Sequence, residues 1–227
     1  METTMNEKEN TTEAVEKNTA PKSARITTKI KNAFSPEKRK KSIIVLVFLL
    51  LVIALSCFMI HRNSPASIAK RFAIAWAEGD EKTENKLYAY DQVQYTMGDD
   101  IEAYLDQRSK NAGEDFQSLN QYYKYLKNAT QEELEDNYGK YKITARVSVN
   151  RDISLKKLEK YVDFDKLESS IGFDRDMIKK GKAVIVKLKI SGEDDIVRVS
   201  RYIYLGKVKG KWGVLAANYY DYDDYNY

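Results

Sequence analysis

The chain has 227 residues, enough for one or two domains, and its 43% hydrophobic and 32% charged residues are those of a folding sequence. One cysteine, Cys57, and one histidine, His61, exclude an internal disulfide framework, a Cys-based or His-cluster metal site and a Ser-His-Asp triad in the folded part. The net charge of +4 lies wholly in the first 42 residues, with 10 Lys/Arg against 6 Asp/Glu, while residues 61–227 hold 28 of each sign. The basic pI therefore gives no ground for nucleic-acid binding by the folded part, and none is expected.

Residues 1–35 are rich in Thr, Asn, Glu and Lys, with no aromatic before Phe34. Such a composition buries too little surface to offset chain entropy, so residues 1–42 are expected to form a disordered, basic cytoplasmic tail. Its last cations, Lys38, Arg39, Lys40 and Lys41, are consecutive and abut an uncharged run from Ile43 to Ile60. Fourteen of those 18 residues are Ile, Leu, Val or Phe, which gains on the order of −4 to −8 kcal/mol on insertion into a bilayer. The length, about 27 Å as a helix, fits the hydrocarbon core, so residues 43–60 are expected to be a transmembrane anchor. A cleaved signal peptide fits less well, because 42 residues precede the run. The lipobox-like Ala54-Leu55-Ser56-Cys57 places its Cys too late in the run. Four cations before the run against Arg62 just after it keep the N-terminus cytoplasmic by the positive-inside rule. The expected location is the cell membrane, single-pass, with residues 61–227 outside and the bilayer as first partner.

Residues 64–217 are expected to form one α+β domain. Ser64-Pro65 is an N-cap followed by proline at the first helical position, and Ile68, Phe72, Ala75 and Trp76 recur at helical spacing up to a stop at Gly79-Asp80. A short helix carrying Leu87 follows, then helices over 99–108 and 116–127. Ile143, Ala145, Val147 and Val149 alternate with polar residues, the mark of a half-buried strand. Residues 154–180 are expected to be mostly helical, broken near Gly172. Three strands, 183–190, 196–208 and 211–217, are joined by the turn signals Ser191–Asp195 and Lys209-Gly210-Lys211. Helices first and an antiparallel meander last is an α+β order.

The run Phe72-Ala73-Ile74-Ala75-Trp76-Ala77-Glu78-Gly79-Asp80 resembles the first helix of the nuclear transport factor 2-like (cystatin-like) superfamily, and Gly210-Lys211-Trp212 resembles its frequent last-strand ending. The resemblance covers residues 64–217, carried by the two ends. It implies helices packed on a curved antiparallel sheet that forms a cone. It also implies kinship with Gram-positive bacterial envelope proteins that hold such a domain outside a single membrane helix. Some relatives are isomerases or dehydratases working through Asp, His or Tyr in the cone. Here Asp80, Asp91, Asp99 and Asp100 are the available carboxylates; Asp80 reads as a turn residue and Asp99-Asp100 as charges in the first turn of a helix. Trp76 and Trp212 are expected to pack between the first helix and the last strand.

Residues 218–227 contain Tyr219, Tyr220, Tyr222, Tyr225 and Tyr227 among aspartates and asparagines, a biased composition expected to form a tail that could recognise a partner. No catalytic, cofactor-binding or metal-ligating set emerges, and no cofactor is expected. The functional expectation is a non-catalytic, membrane-anchored binding or assembly module of the cell envelope with an envelope protein as partner. Two alternatives stay open: an accessory scaffold of a conjugation or type IV secretion-like apparatus, and a small-molecule-binding or isomerase-like cone enzyme.

Overall fold

A computed structural model describes residues 36–193 and 195–221, with side-chain surroundings from residue 43 to residue 218. Of the disordered tail expected over residues 1–42, residues 1–35 lie outside the described residues, whereas residues 36–42 are helical and continuous with the apolar run, which corrects that boundary. The chain divides into two units, residues 1–56 and 57–227.

Helix α1, Pro36–Arg62, runs 27 residues from a proline suited to the first helical turn. Within it Ile43–Arg62, 20 residues, has a mean hydropathy of 3.4 and no buried share. At 1.5 Å per residue this stretch is about 30 Å long, long and apolar enough to cross a membrane. A helix apolar on every side must be covered either by protein or by lipid. Among the described residues no side chain buries it: Ile44, Phe48, Leu55 and Ile60 are all more than half exposed. Ser56 satisfies its hydroxyl inside the helix by donating to the Val52 carbonyl at 2.8 Å.

In the second unit, helix α2, Pro65–Ala77, starts where Ser64 Oγ accepts from the Ser67 amide. It ends in Gly79, whose φ of +65° lets the Asp80 amide reach back to the Ala75 carbonyl at 2.8 Å. A Cβ at Gly79 would collide with Thr130 Oγ1, so the step admits only glycine. Asp80 then caps α3, Glu81–Asn85, by accepting from the Thr83 amide at 3.0 Å. Helices α4, Gln92–Met97, α5, Ile101–Ala112, and α6, Leu119–Tyr138, follow, capped by Asp91, Asp100 and Ser118.

Four antiparallel strands, β1 (Lys142–Ile153), β2 (Ile178–Ser191), β3 (Ile196–Val208) and β4 (Lys211–Asp221), form one open sheet in the order β1-β2-β3-β4. The register pairs Val147 with Val186, Val184 with Ile203, and Ile203 with Ala217. Irregularities at Val147/Val149, Ile178/Gly181 and Tyr204/Leu205 interrupt the ladders, and such bulges bend and twist a sheet. Residues 87–89 cover the outer edge of β4: the Ala89 amide donates to Val214 O, and the Val214 amide to Leu87 O, each at 2.8 Å. Gly213 makes this approach possible, since a Cβ there would stand 2.6 Å from Ala89 Cα.

Strand alternation sends two cores to opposite faces. On one face Val184, Val186, Leu188, Ile203, Leu205 and Val214 pack against Ile68, Ala69, Phe72 and Ala73 of α2. On the other, Ala183, Tyr204 and Leu215 pack against Leu158, Val162, Phe164, Leu167 and Phe173. Those partners come from α7, Leu155–Leu158, from α8, Phe164–Ile171, and from the loops that follow each helix. A third cluster joins Leu105 of α5 to Phe116, in the loop before α6, and to Tyr122 and Tyr123 in the first turns of α6.

Several boundaries differ from the sequence expectation. Leu87 lies beyond α3 and in the edge segment, because α3 has only five residues. Helix α6 continues to Tyr138, where Gly139 (φ +63°) ends it. The region expected to be mostly helical over 154–180 holds two short helices and a 3-10 turn, Arg175–Met177, since Ser154 and Asp163 each restart a cap and Gly172 (φ +64°) stops α8. Strand β2 starts at Ile178 rather than 183. Pairing of β4 with β3 continues through Tyr219 and Tyr220 to Asp221, four residues past the expected end at Ala217.

Candidate functional site

The strongest concentration of perturbed titratable groups is built on α3. Glu81 and Glu84 stand three residues apart, so they share one face of this short helix. Opposite them β3 presents Arg201, only 5% exposed and on the same strand face as Val199 and Ile203. The Arg201 guanidinium lies over Trp76, 4.2 Å from the ring centroid, and 5.9 Å from the Phe72 ring. Such stacking compensates part of the desolvation of a buried cation. On the far side α5 brings Arg108, whose guanidinium sits 4.9 Å from the Tyr104 ring.

This setting moves protons. Burial pushes the Glu84 carboxyl up to about 7; neighbouring Glu81 adds to the rise and Arg201 opposes it. Burial also raises Glu81, against the pull of Arg108. Among the described residues Glu81 Oε2 is buried without a hydrogen-bond partner. A line of rings runs on from the cluster: Phe72 to Tyr88 at 5.3 Å, Tyr88 to Tyr90 at 5.3 Å, then Tyr90 to both Tyr95 and Phe173 at 5.6 Å. Burial raises the hydroxyls of Tyr88 and Tyr90 well above the usual phenol range, so both are neutral donors at any physiological pH. Tyr90 uses its own to donate to Leu215 O at 3.3 Å.

A carboxyl poised near neutrality beside a guanidinium and an indole face can exchange a proton or hold a hydrogen-bonding group. Cavities of about 890, 600 and 550 Å³ open on the second unit, and none is lined by Glu81, Glu84 or Arg201. Among the described residues no three His, Cys, Asp or Glu side chains gather as a metal centre requires.

The residues singled out from sequence fall elsewhere. Lys38, Arg39, Lys40 and Lys41 occupy the first turns of α1. Asp80, Asp91 and Asp100 are helix N-caps, and Asp99 accepts from Gln94 Nε2 at 3.3 Å. Asp80 also takes an ion pair from Lys127 at 3.0 Å. Burial acts to raise its carboxyl, but the Lys127 and Thr83 hydrogen bonds outweigh that and hold it low. Trp76 and Trp212 both pack against the α2-side core. Tyr219 and Tyr220 belong to β4, opposite Arg201 and Ser200, while Tyr222, Tyr225 and Tyr227 lie outside the described residues. The Glu81/Glu84/Arg201 cluster was missed. Its one signal in the sequence is an arginine at an inward position of the alternating run Val197, Val199, Arg201, Ile203, Leu205. Compared with known proteins, the chain matches no family model, no curated protein and no solved structure.

Proposed function

We propose that the chain is a single-pass, membrane-anchored binding or assembly module of the cell envelope, with its α+β domain outside the cytoplasm and acting by contact rather than catalysis. The observation that carries this reading is the 20-residue apolar stretch left unburied among the described residues, joined directly to a unit that has its own cores. Lys38–Lys41 on one side of that stretch and Arg62 alone on the other orient it. Anchoring holds the domain within tens of ångströms of the outer bilayer face, where its effective concentration for envelope partners rises. The nuclear transport factor 2-like resemblance is kept as the proposed fold family. It is supported by the glycine-dependent step at Gly79-Asp80, the close edge contact at Gly213 and the helices-then-meander order.

Two measurements on intact cells test the reading. Protease added outside should degrade the chain beyond Arg62, and crosslinking should hold it in a complex larger than one chain. Because β4 runs to Asp221, removing residues 222–227 spares the sheet and asks whether the Tyr-rich end recruits the partner. A chain that stays monomeric under crosslinking contradicts the assembly role.

The Glu84 carboxyl favours one second reading, acid–base chemistry on a small molecule. It requires a ligand whose binding is lost in Glu84→Gln while the fold is retained.

A further inference from the structure

The largest of the three cavities, about 890 Å³, is formed wholly by residues 57–227. Its rim carries Arg62, Arg71, Lys86, Lys209 and Lys211, and not one Asp or Glu lines it. Residues 61–227 as a whole balance 28 cations against 28 anions, so five cations together without an acid is a local excess. Among the described residues none of the five belongs to the ion pairs Lys127–Asp80, Arg175–Glu159 and Lys182–Asp152. They converge from separate elements: the end of α1, the middle of α2, the residue after α3, and the β3–β4 turn. That turn is tight, with Lys209 at φ 48° and Gly210 at φ 83°, and it holds Lys209 and Lys211 side by side at the rim. Below the rim the wall is apolar, with Ile68, Leu87 and Trp212.

A cationic rim above an apolar wall is complementary to an amphiphile with a phosphate head. The chain itself says where one is met. Met59 and Arg62 both line the cavity, and Ile60, between them, is the last residue of the apolar run. Once α1 is inserted, those residues sit at the level of the headgroups of the leaflet next to the domain, where a local excess of cations attracts whatever anionic headgroups that leaflet holds. We infer that this cavity is a binding site for the phosphodiester headgroup of an anionic glycerophospholipid in the leaflet next to the domain. The inference rests on the anchor reading above. Arg71, partly buried on α2, contributes the least exposed charge, and the exposed Lys86, Lys209 and Lys211 supply the others at the mouth.

The test uses the full chain in neutral detergent micelles, titrated with phosphatidylglycerol, phosphatidylcholine, deacylated glycerophosphoglycerol and inorganic phosphate, with bound adducts counted by native mass spectrometry. Phosphatidylglycerol should bind at least tenfold more tightly than phosphatidylcholine, and the preference should weaken as salt rises. Combining Arg71→Gln, Lys86→Gln, Lys209→Gln and Lys211→Gln should abolish it. Lys209→Gln with Lys211→Gln, both exposed, should cut it severalfold in a chain whose circular dichroism is unchanged. Equal affinity for the two lipids, or a preference that survives the exposed pair of substitutions in a folded chain, overturns the site. Inorganic phosphate or glycerophosphoglycerol binding as tightly as the lipid overturns the lipid assignment in favour of a free anion. Failure of the anchor is read separately, by release of the chain from membranes in alkaline carbonate.

Discussion

Glu84 makes the structure answerable in a pH titration. Its carboxyl is raised from 4.5 to about 7, chiefly by burial between α3 and the Arg201 side of the sheet. A folded-state value above the unfolded one means the native state favours the protonated form. The resulting stabilisation is full below pH 4.5, falls between 4.5 and 7, and is gone above 7. A displacement of that size corresponds to at most about 3 kcal/mol, and residual solvent screening brings the working figure to about 2 kcal/mol. Glu84→Gln removes the titration and keeps the shape. Arg201 loses an attractive neighbour, which lowers the variant's stability above pH 7 without restoring the slope. Urea unfolding of the full chain in micelles, followed by tryptophan fluorescence between pH 4 and 8, gives the difference between wild type and variant. That difference should change by about 2 kcal/mol across the window, about 1 M in the urea midpoint for a domain of this size. Glu81 is raised in the same direction and is coupled to Glu84, so Glu84→Gln also eases the Glu81 carboxyl, and the measured slope change belongs to the pair. Parallel curves would show that Glu84 is solvated and that the cluster on α3 is no site at all.

Other substitutions test the packing. Phe72 is fully buried and meets Tyr88 edge-on, so Phe72→Ala should cost about 3–5 kcal/mol in the same unfolding assay, and a loss under 1 kcal/mol would contradict the core assignment. Gly213→Ala puts a methyl against the Ala89 backbone. It should cost about 1–3 kcal/mol and expose the Ala89 amide to hydrogen exchange, whereas unchanged protection would mean the 87–89 edge segment is not paired. Glu81→Gln should lower the Glu84 midpoint, since burial raises that midpoint first and the charge of Glu81 adds to it; an unmoved midpoint leaves burial as the sole cause.

Much of the fold was legible because its signals are local. Ser64-Pro65 and the spacing of Ile68 and Phe72 mark α2, and the alternation through β1 and β3 and the Lys209-Gly210 turn mark the meander. What escaped has weak local signals. Helix α4 buries only Met97, and the second half of α6 only Leu134, so neither shows an apolar stripe. The start of β2 is hidden in Lys179-Lys180-Gly181-Lys182, whose ladder partners lie at the far end of β3. The end of β4 is hidden in a Tyr/Asp-rich stretch that reads as a tail until its pairing with Val199–Arg201 is seen. The polar cluster was invisible for a further reason. Glu84 and Arg201 are 117 positions apart in the chain, and a buried charge is inferred only once a tertiary structure brings such positions together.

The central claim is the side of the membrane on which the domain stands. In a Cys57→Ser background, Lys156→Cys places a thiol on an exposed site of the second unit, and Asn10→Cys places one in the basic tail. A membrane-impermeant maleimide applied to intact cells should label Lys156→Cys at once and Asn10→Cys only after permeabilisation. Labelling in the opposite order, or of neither before lysis, contradicts the account.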